Sequence, residues 1–399
     1  MSRAARAAGP EIAFVIQRYG ADVAGGAESL ARSLAERLAA EYRITVFTTC
    51  ARDYVTWRNE LREGSEHASG VEVRRFRVEE ERDLASFNRL SDSLYERPHD
   101  EEEELTWLRR QGPYAPRLVE ELAACKERFR AILFFTYLYF PTYWGLKAAP
   151  ERSILVPTAH DEPPLRLGIY RFVFETPRAM AFCSAPEEEL ARARFRLGPG
   201  PTAVAGIGIE MPVEIDVEGF RIRHDVSGPY ALYAGRIDAG KGCAEMLSHF
   251  DRYRRQCRGA AQLLLIGRLA MPAPRVPGVR YLGYLPEAEK MAAMAGARVV
   301  VCPSPYESLS IVLLEALSLG VPALANARSP VLKGHCVHSN AGLYYENAEE
   351  FAEALDLLVR EAPLRAALGE NGRRYVAAGF RWDVVLAKYR ALIEAVAQS

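Results

Sequence analysis

No charge of either sign dominates this chain of 399 residues: 51 lysines and arginines stand against 52 aspartates and glutamates. So even a balance provides no basic field for a phosphate backbone, and nucleic acid is not an expected partner. Cysteine is sparse. The seven, at 50, 125, 183, 243, 257, 302 and 336, are scattered, odd in number and nowhere form C-x-x-C, which argues against a disulfide framework and for reduced cytosolic thiols. Long apolar runs are missing too. The richest, Ala131 to Phe140, falls far short of the ~20 residues of a membrane span. The opening MSRAARAAGPE lacks the apolar core of a signal peptide, so a cytoplasmic location is expected. There is no low-complexity tract and no repeat of solenoid length. The dinucleotide fingerprint G-x-G-x-x-G is absent after the first strand. Lys241, though flanked by Gly240 and Gly242, is not followed by Ser or Thr, which excludes a Walker-type phosphate loop.

What is present is globular: 49% hydrophobic and 26% charged residues. The length is too great for one ordinary core, and two domains are the natural expectation. Short apolar runs alternate with amphipathic stretches. They predict strands at 11–17, 43–49, 70–76, 131–136, 153–158, 179–183 and 203–206, and helices at 26–41, 116–129, 140–148 and 185–196. The segment 79–115, with HDEEEELTWLRRQG, breaks the rhythm and reads as a charged insertion, either a solvated acidic helix or a recognition flap. Residues 207–228 are irregular and polar, a natural hinge. Strands restart at 230–235, 262–267, 279–282, 298–302 and 322–326, and the tail from 348 is helical in three pieces broken by Pro363 and Gly379. Such alternation implies an α/β chain of two doubly wound parallel sheets. The expected division is 1–215, 216–380 and a terminal helix at 381–399 that returns to the first domain. Ligands of such sheets bind beyond the strands' carboxyl ends, so the two domains should face each other across a cleft.

The loops that fall at those ends carry the chemistry. YALYAG is a strand ending in Gly235, followed by Arg236 and Lys241 before an apolar helix pattern. The arginine fork grips phosphate oxygens, and lysine adds a mobile point charge. CPSPYESLSIVLLEALSLG places Glu307 eight residues before Glu315. If helical, eight residues rise about 12 Å. Two carboxylates acting on one glycosidic bond sit only about 5–9.5 Å apart. Glu307 and Glu315 therefore fit opposite ends of one long ligand better than a hydrolase pair. Ser308 and Ser310 can cap the helix, leaving the backbone N–H groups of Leu309, Ser310 and Ile311 to face an anion. Gly25 and Gly26 open a periodic helix and permit close backbone approach to a phosphate or sugar, while Glu28 reads as a first-turn acid complementing the helix dipole. PTAHDEPPL puts His160, Asp161 and Glu162 at a strand end, where one of them can orient a sugar or meet an acceptor. His335, Cys336 and His338 resemble a metal trio, but they lie in one loop without a fourth ligand, so no metal site is expected.

Taken together and in order, the Gly25-Gly26 loop, FCSAPEEELARARF, VAGIGIE, YAGRIDAGKG, LLLIGR, VRYLGYL and the Glu307-to-Glu315 stretch resemble the retaining GT-B glycosyltransferases of family 4, the glycosyl transferases group 1. The resemblance spans nearly the whole chain. It implies a donor that is a nucleoside-diphosphate sugar, with Arg236 and Lys241 on its diphosphate, Glu307 on sugar hydroxyls, Glu315 on the ribose, His160 beside the donor sugar, and the base near Arg268 and Tyr284-Leu285. It implies no metal and no further cofactor. The acceptor, a saccharide, a lipid-linked glycan or a small molecule, is left open, as is peripheral contact with the inner face of a membrane. The family usually has glycines after the first acid where this chain has Ser308 and Ser310, and backbone contacts survive that change if φ is negative there. A sugar-nucleotide epimerase or hydrolase of the same fold, and a non-catalytic sugar-nucleotide-binding protein, are the alternative readings.

Overall fold

The computed structural model describes residues 9–23, 25–210, 214–257 and 261–398. Most of the opening segment read above and part of the 207–228 stretch lie outside these. The chain divides into two units. One holds the chain up to Ile207 and again from Leu386; the other is Gly208–Val385.

The first unit is built on β1 (Glu11–Val15), β2 (Arg43–Thr49), β3 (Gly64–Ala68), β4 (Val71–Phe76), β5 (Ala131–Phe135), β6 (Ser153–Val156), β7 (Ala179–Phe182) and β8 (Thr202–Val204). They form one sheet in the order β3-β4-β2-β1-β5-β6-β7-β8. All pairings are parallel except β3 with β4. The helices are α1 (Gly26–Leu38), α2 (Leu84–Glu96), α3 (Glu101–Gln111), α4 (Pro116–Cys125), α5 (Phe140–Ala148), α6 (Ile169–Glu175) and α7 (Ala185–Arg194). β1, β5, β6 and β7 are apolar on both faces, as strands covered by helices on both sides must be.

The second unit holds β9 (Tyr230–Ala234), β10 (Gln262–Ile266), β11 (Val279–Tyr281), β12 (Val299–Cys302), β13 (Ala323–Asn326) and β14 (Gly342–Tyr345). Its order is β11-β10-β9-β12-β13-β14, parallel throughout. Its helices are α8 (Val217–Arg223), α9 (Cys243–Gln256), α10 (Glu287–Ala295), α11 (Ile311–Leu319), α12 (Pro330–Ser339), α13 (Ala348–Arg360) and α14 (Ala362–Gly379); α15 (Trp382–Gln398) closes the chain. The strand order reverses between β9 and β12, and in doubly wound sheets that switch point opens a crevice at the strands' carboxyl ends.

Three expectations need correction. The insertion is not a solvated acidic helix. It is the hairpin of α2 and α3, with Trp107 and Leu108 buried and Glu104 only 5% exposed. Glu104 accepts from the N–H groups of Gly168 and Ile169 at 2.9 and 2.7 Å, so an acid of that run satisfies the orphan donors at the start of α6. Residues 217–223, read as irregular, are α8, started by the Asp216 side chain. The His335-Cys336-x-His338 trio lies on α12, not in a loop. Among the described residues no helix is long and apolar enough to cross a membrane.

Candidate functional site

The two loops at the second unit's switch point carry Arg236, Lys241, Glu307, Ser308, Leu309 and Ser310. After β9 the chain turns through Gly235 to Arg236, whose carbonyl accepts the Tyr233 hydroxyl at 2.6 Å. The exposed Arg236 guanidinium pairs with Asp238. The other oxygen of Asp238 accepts the backbone N–H of Lys241 at 2.8 Å. One aspartate thus organises both cations. Gly242 follows with φ +72°, and a Cβ there would come within 2.3 Å of the Pro303 carbonyl, so only glycine lets the lysine turn press against the loop after β12. The consequence is direct: Lys241 Nζ reaches Glu307 Oε1 at 2.7 Å, between side chains that are 35% and 19% exposed.

Glu315 lies farther along, inside α11, with its side chain 12% exposed. Lys290 of α10 donates to its Oε1 at 2.9 Å and pairs with Glu287 at 2.8 Å. Burial pushes the Glu315 carboxyl up, and the Lys290 ammonium pulls it back down. Its Oε2 is buried with no hydrogen-bond partner. A buried acceptor left open in this way is costly unless a ligand satisfies it. The loops after β9 and β10 are tied by an isolated parallel bridge between Ile237 and Leu269. That brings Arg268 to the same end of the sheet, with its guanidinium 5.8 Å from the Tyr284 ring. Leu285 is half-buried beside it in sequence.

Ser310 does not behave as expected. Ser310 occupies the N-cap of α11 with φ +67° and ψ +79° and makes no side-chain cap bond. The condition of negative φ is therefore not met at this position: a serine sits in the left-handed conformation that glycine adopts freely. Its side chain is within electrostatic range of the Cys302 thiol. Leu309 is buried, and Ile311 begins the helix.

The remaining expected residues, Gly25, Gly26, His160 and Asp161, belong to the first unit. Gly25 is the N-cap of α1, and a Cβ there would fall 1.9 Å from Glu28 Oε2. Glu28 is the first-turn acid of α1, and it is buried. It is 5% exposed and accepts from Arg18 at 2.6 Å and from Gln17 at 2.9 Å. A buried, doubly bonded ion pair therefore shapes the glycine loop. His160 Nε2 lies 3.3 Å from Glu162, which in turn accepts the buried Tyr137 hydroxyl at 2.8 Å. Asp161 is exposed and lies 3.7 and 3.9 Å from Arg166 and Arg194. The half-buried Tyr139 is within electrostatic range of both Glu28 and Glu162, so the loops after β1, β5 and β6 share one neighbourhood.

Sequence reasoning missed Asp238 and Lys290, named Glu162 only for sugar or acceptor and not as the partner of His160 and Tyr137, and passed over Glu187. That carboxylate is 1% exposed and accepts the N–H groups of Ala159 and Cys183, both at 2.5 Å, tying the His160 loop to the end of β7. Burial pushes its carboxyl from the ordinary 4.5 up to about 8, against the pull of those two amides. A folded value above the unfolded one means the fold binds that proton more tightly, so stability is lost as pH rises from the unfolded value through about 8. The stability advantage of the native chain over Glu187→Gln should therefore shrink between pH 5 and 8 in thermal melts. An advantage that is constant over that range contradicts the raised carboxyl.

Residues 215–375 match the protein family described as Glycosyl transferases group 1. The phosphatidyl-myo-inositol mannosyltransferase of Mycobacterium leprae is 30% identical over 217 residues, 48% of this chain and 54% of that protein. The O-antigen chain mannosyltransferase B of Escherichia coli is 32% identical over 107 residues, 24% of this chain and 28% of its own. The chain thus spans about half or less of the length of these curated relatives. Among solved structures, the sucrose-phosphate synthase of Thermosynechococcus elongatus superposes with a TM-score of 0.73 at 20% identity, covering 97% of this chain and 100% of that one. That likeness shows the fold, which is GT-B with two Rossmann-like domains.

Proposed function

We propose, from a chain that carries a Glycosyl transferases group 1 domain at residues 215–375, that it moves a sugar from a nucleoside-diphosphate sugar to an acceptor, with retention and without a metal ion. The observation that carries this reading is the Lys241–Glu307 pair at the switch point, together with the open oxygen of Glu315. A diphosphate arriving at the strand ends takes over Lys241, with Arg236 beside it. Glu307 is then released from its cation and accepts from donor-sugar hydroxyls. The open Glu315 oxygen takes the ribose, and the base lies by Arg268 and Tyr284-Leu285. Cations placed where the leaving diphosphate gathers charge do the electrostatic work that a metal does elsewhere. The acceptor attacks on the leaving-group side and a donor phosphate oxygen takes its proton, so no protein nucleophile is required. Gly25, Gly26, His160 and Asp161 act in sugar and acceptor recognition. The acceptor is a saccharide, a lipid-linked glycan or a small molecule, met in the cytoplasm or at the inner membrane face.

A GDP-mannose-dependent mannosyltransferase of Mycobacterium tuberculosis among the relatives makes GDP a nucleotide to test beside UDP, ADP and TDP. One of the four should raise thermal stability. At 100 times its dissociation constant the expected gain is about 2.7 kcal/mol. No shift with any of them contradicts the donor site. With the matching sugar donor, slow release of nucleoside diphosphate should persist in a chelator, and the anomeric configuration of the sugar product, read by NMR, should be unchanged. Inversion or strict dependence on added manganese or magnesium overturns the mechanism.

A further inference from the structure

His335 plays no part in the chemistry above, yet it is the side chain that grips the loop carrying it. It stands on α12, 4% exposed. Its Nε2 lies 2.8 Å from the Leu309 carbonyl oxygen, and its Nδ1 lies 3.0 Å from the Tyr375 hydroxyl on α14. A carbonyl oxygen only accepts, so Nε2 carries the proton. Nδ1 is then the acceptor, and Tyr375 donates to it. Burial pushes the ring's pKa down to about 4 and the Tyr375 hydroxyl up to about 12, so both stay neutral across the physiological range. Phe380 and Tyr375 pack against the imidazole at 5.9 Å each, which fixes the ring plane. With both nitrogens taken, the ring has no lone pair for a metal.

The carbonyl it holds belongs to the residue before Ser310, the serine at φ +67°. A non-glycine residue in that conformation persists only when its surroundings over-determine it. The grip of His335 on Leu309 O is such an anchor here. We propose that His335, oriented by Tyr375, is a positioning residue that locks the turn from Glu307 to Ser310 so that its backbone N–H groups and the Glu307 carboxylate are presented to the donor's diphosphate and sugar. This role rests on the donor-site reading, but the lock itself does not. Serine replaces glycine at the cap because the strain is held by a tertiary hydrogen bond rather than relieved by glycine's freedom.

The test compares full-length native chain with His335→Leu, His335→Gln and Tyr375→Phe. Glutamine keeps an amide donor near the Nε2 position, whereas leucine leaves the Leu309 carbonyl unpaired. Hydrogen–deuterium exchange over residues 305–314 needs no ligand. It should quicken by about tenfold in His335→Leu, the worth of one hydrogen bond, less in Tyr375→Phe, and least in His335→Gln. Native exchange in both His335→Leu and Tyr375→Phe overturns the lock. If His335→Leu fails to fold, the other two variants still decide it. The second arm uses GDP or UDP, whichever stabilises the native chain, against its phosphate-free nucleoside. The affinity for the diphosphate should fall by about tenfold in His335→Leu while that for the nucleoside holds, and His335→Gln should restore it. Equal losses for both would mean that His335 is only a core residue. If no nucleoside diphosphate binds the native chain, the functional reading fails, and the exchange arm alone judges the lock.

Discussion

Lys241→Ala and Arg236→Ala should each lower sugar transfer by about 10²–10³ while leaving the melting temperature within a few degrees of the native chain. Both magnitudes follow from where the side chains sit. Removing one preorganised donor from the oxygen that gathers charge typically costs that factor in rate. Folding is spared because both groups are partly exposed, at 43% and 35%, and exposed ion pairs contribute about 0–1 kcal/mol. The two variants should differ in one respect. Losing Lys241 leaves Glu307 without its cation, so a negative carboxylate then faces the incoming diphosphate and donor affinity falls along with the rate. Losing Arg236 frees Asp238, which still caps the Lys241 backbone N–H at 2.8 Å, so the lysine turn keeps its shape and the defect should fall mainly on kcat. Initial rates over a donor series, with melts alongside, check both statements. Near-native turnover in both variants removes the diphosphate clamp.

The positions of these cations were legible in the sequence for a physical reason. An apolar run ending in glycine, followed by a second glycine turn and a helical pattern, leaves little choice but a strand, a tight turn and a helix. The turn therefore lands at the carboxyl end of β9. The same reasoning located β12, α11 and the acids around them, because local hydrophobic period decides those elements. It failed where stabilisation is tertiary. Every residue of β3 is exposed, so the strand shows no alternation and exists only by pairing with β4. The α2–α3 hairpin is hidden by its surface charge, since one acid of the run, Glu104, points inward as a cap and the core face is carried by a few apolar residues, Phe87, Leu94, Trp107 and Leu108. Lys290, Asp238, Glu162 and His335 carry no local signal of their roles. Each acts on a partner brought near by the fold, and spacing along the chain cannot report that. The sign of φ at Ser310 was left open for the same reason: local propensity favours negative φ, and only the tertiary surroundings hold the residue in the left-handed region.

Glu315→Gln and Glu307→Gln should separate cleanly when binding of the bare nucleoside diphosphate is measured by calorimetry. Glu315 is nearly buried, and one of its oxygens is already held by Lys290 while the other is open. A hydrogen bond to a charged group is worth about 1.5–3 kcal/mol, so Glu315→Gln should weaken the nucleotide by roughly 10- to 150-fold. The change also leaves the Lys290 ammonium with only the exposed Glu287, and breaking a buried pair costs about 3–5 kcal/mol. A lower melting temperature is therefore expected in this variant and not in the other. Pairing Glu315→Gln with Lys290→Met separates the two effects: the double variant should regain stability but not affinity. Glu307→Gln acts in the opposite sense on the bare nucleotide. It releases Lys241 from its 2.7 Å partner, so the lysine meets the diphosphate without first giving up a carboxylate. Nucleotide affinity should hold or tighten, while transfer from the sugar donor falls because the hydroxyl acceptor is gone. Equal loss of nucleotide affinity in the two variants would place both acids at the same end of the ligand. That would contradict a donor laid along the switch point from Glu315 to Glu307.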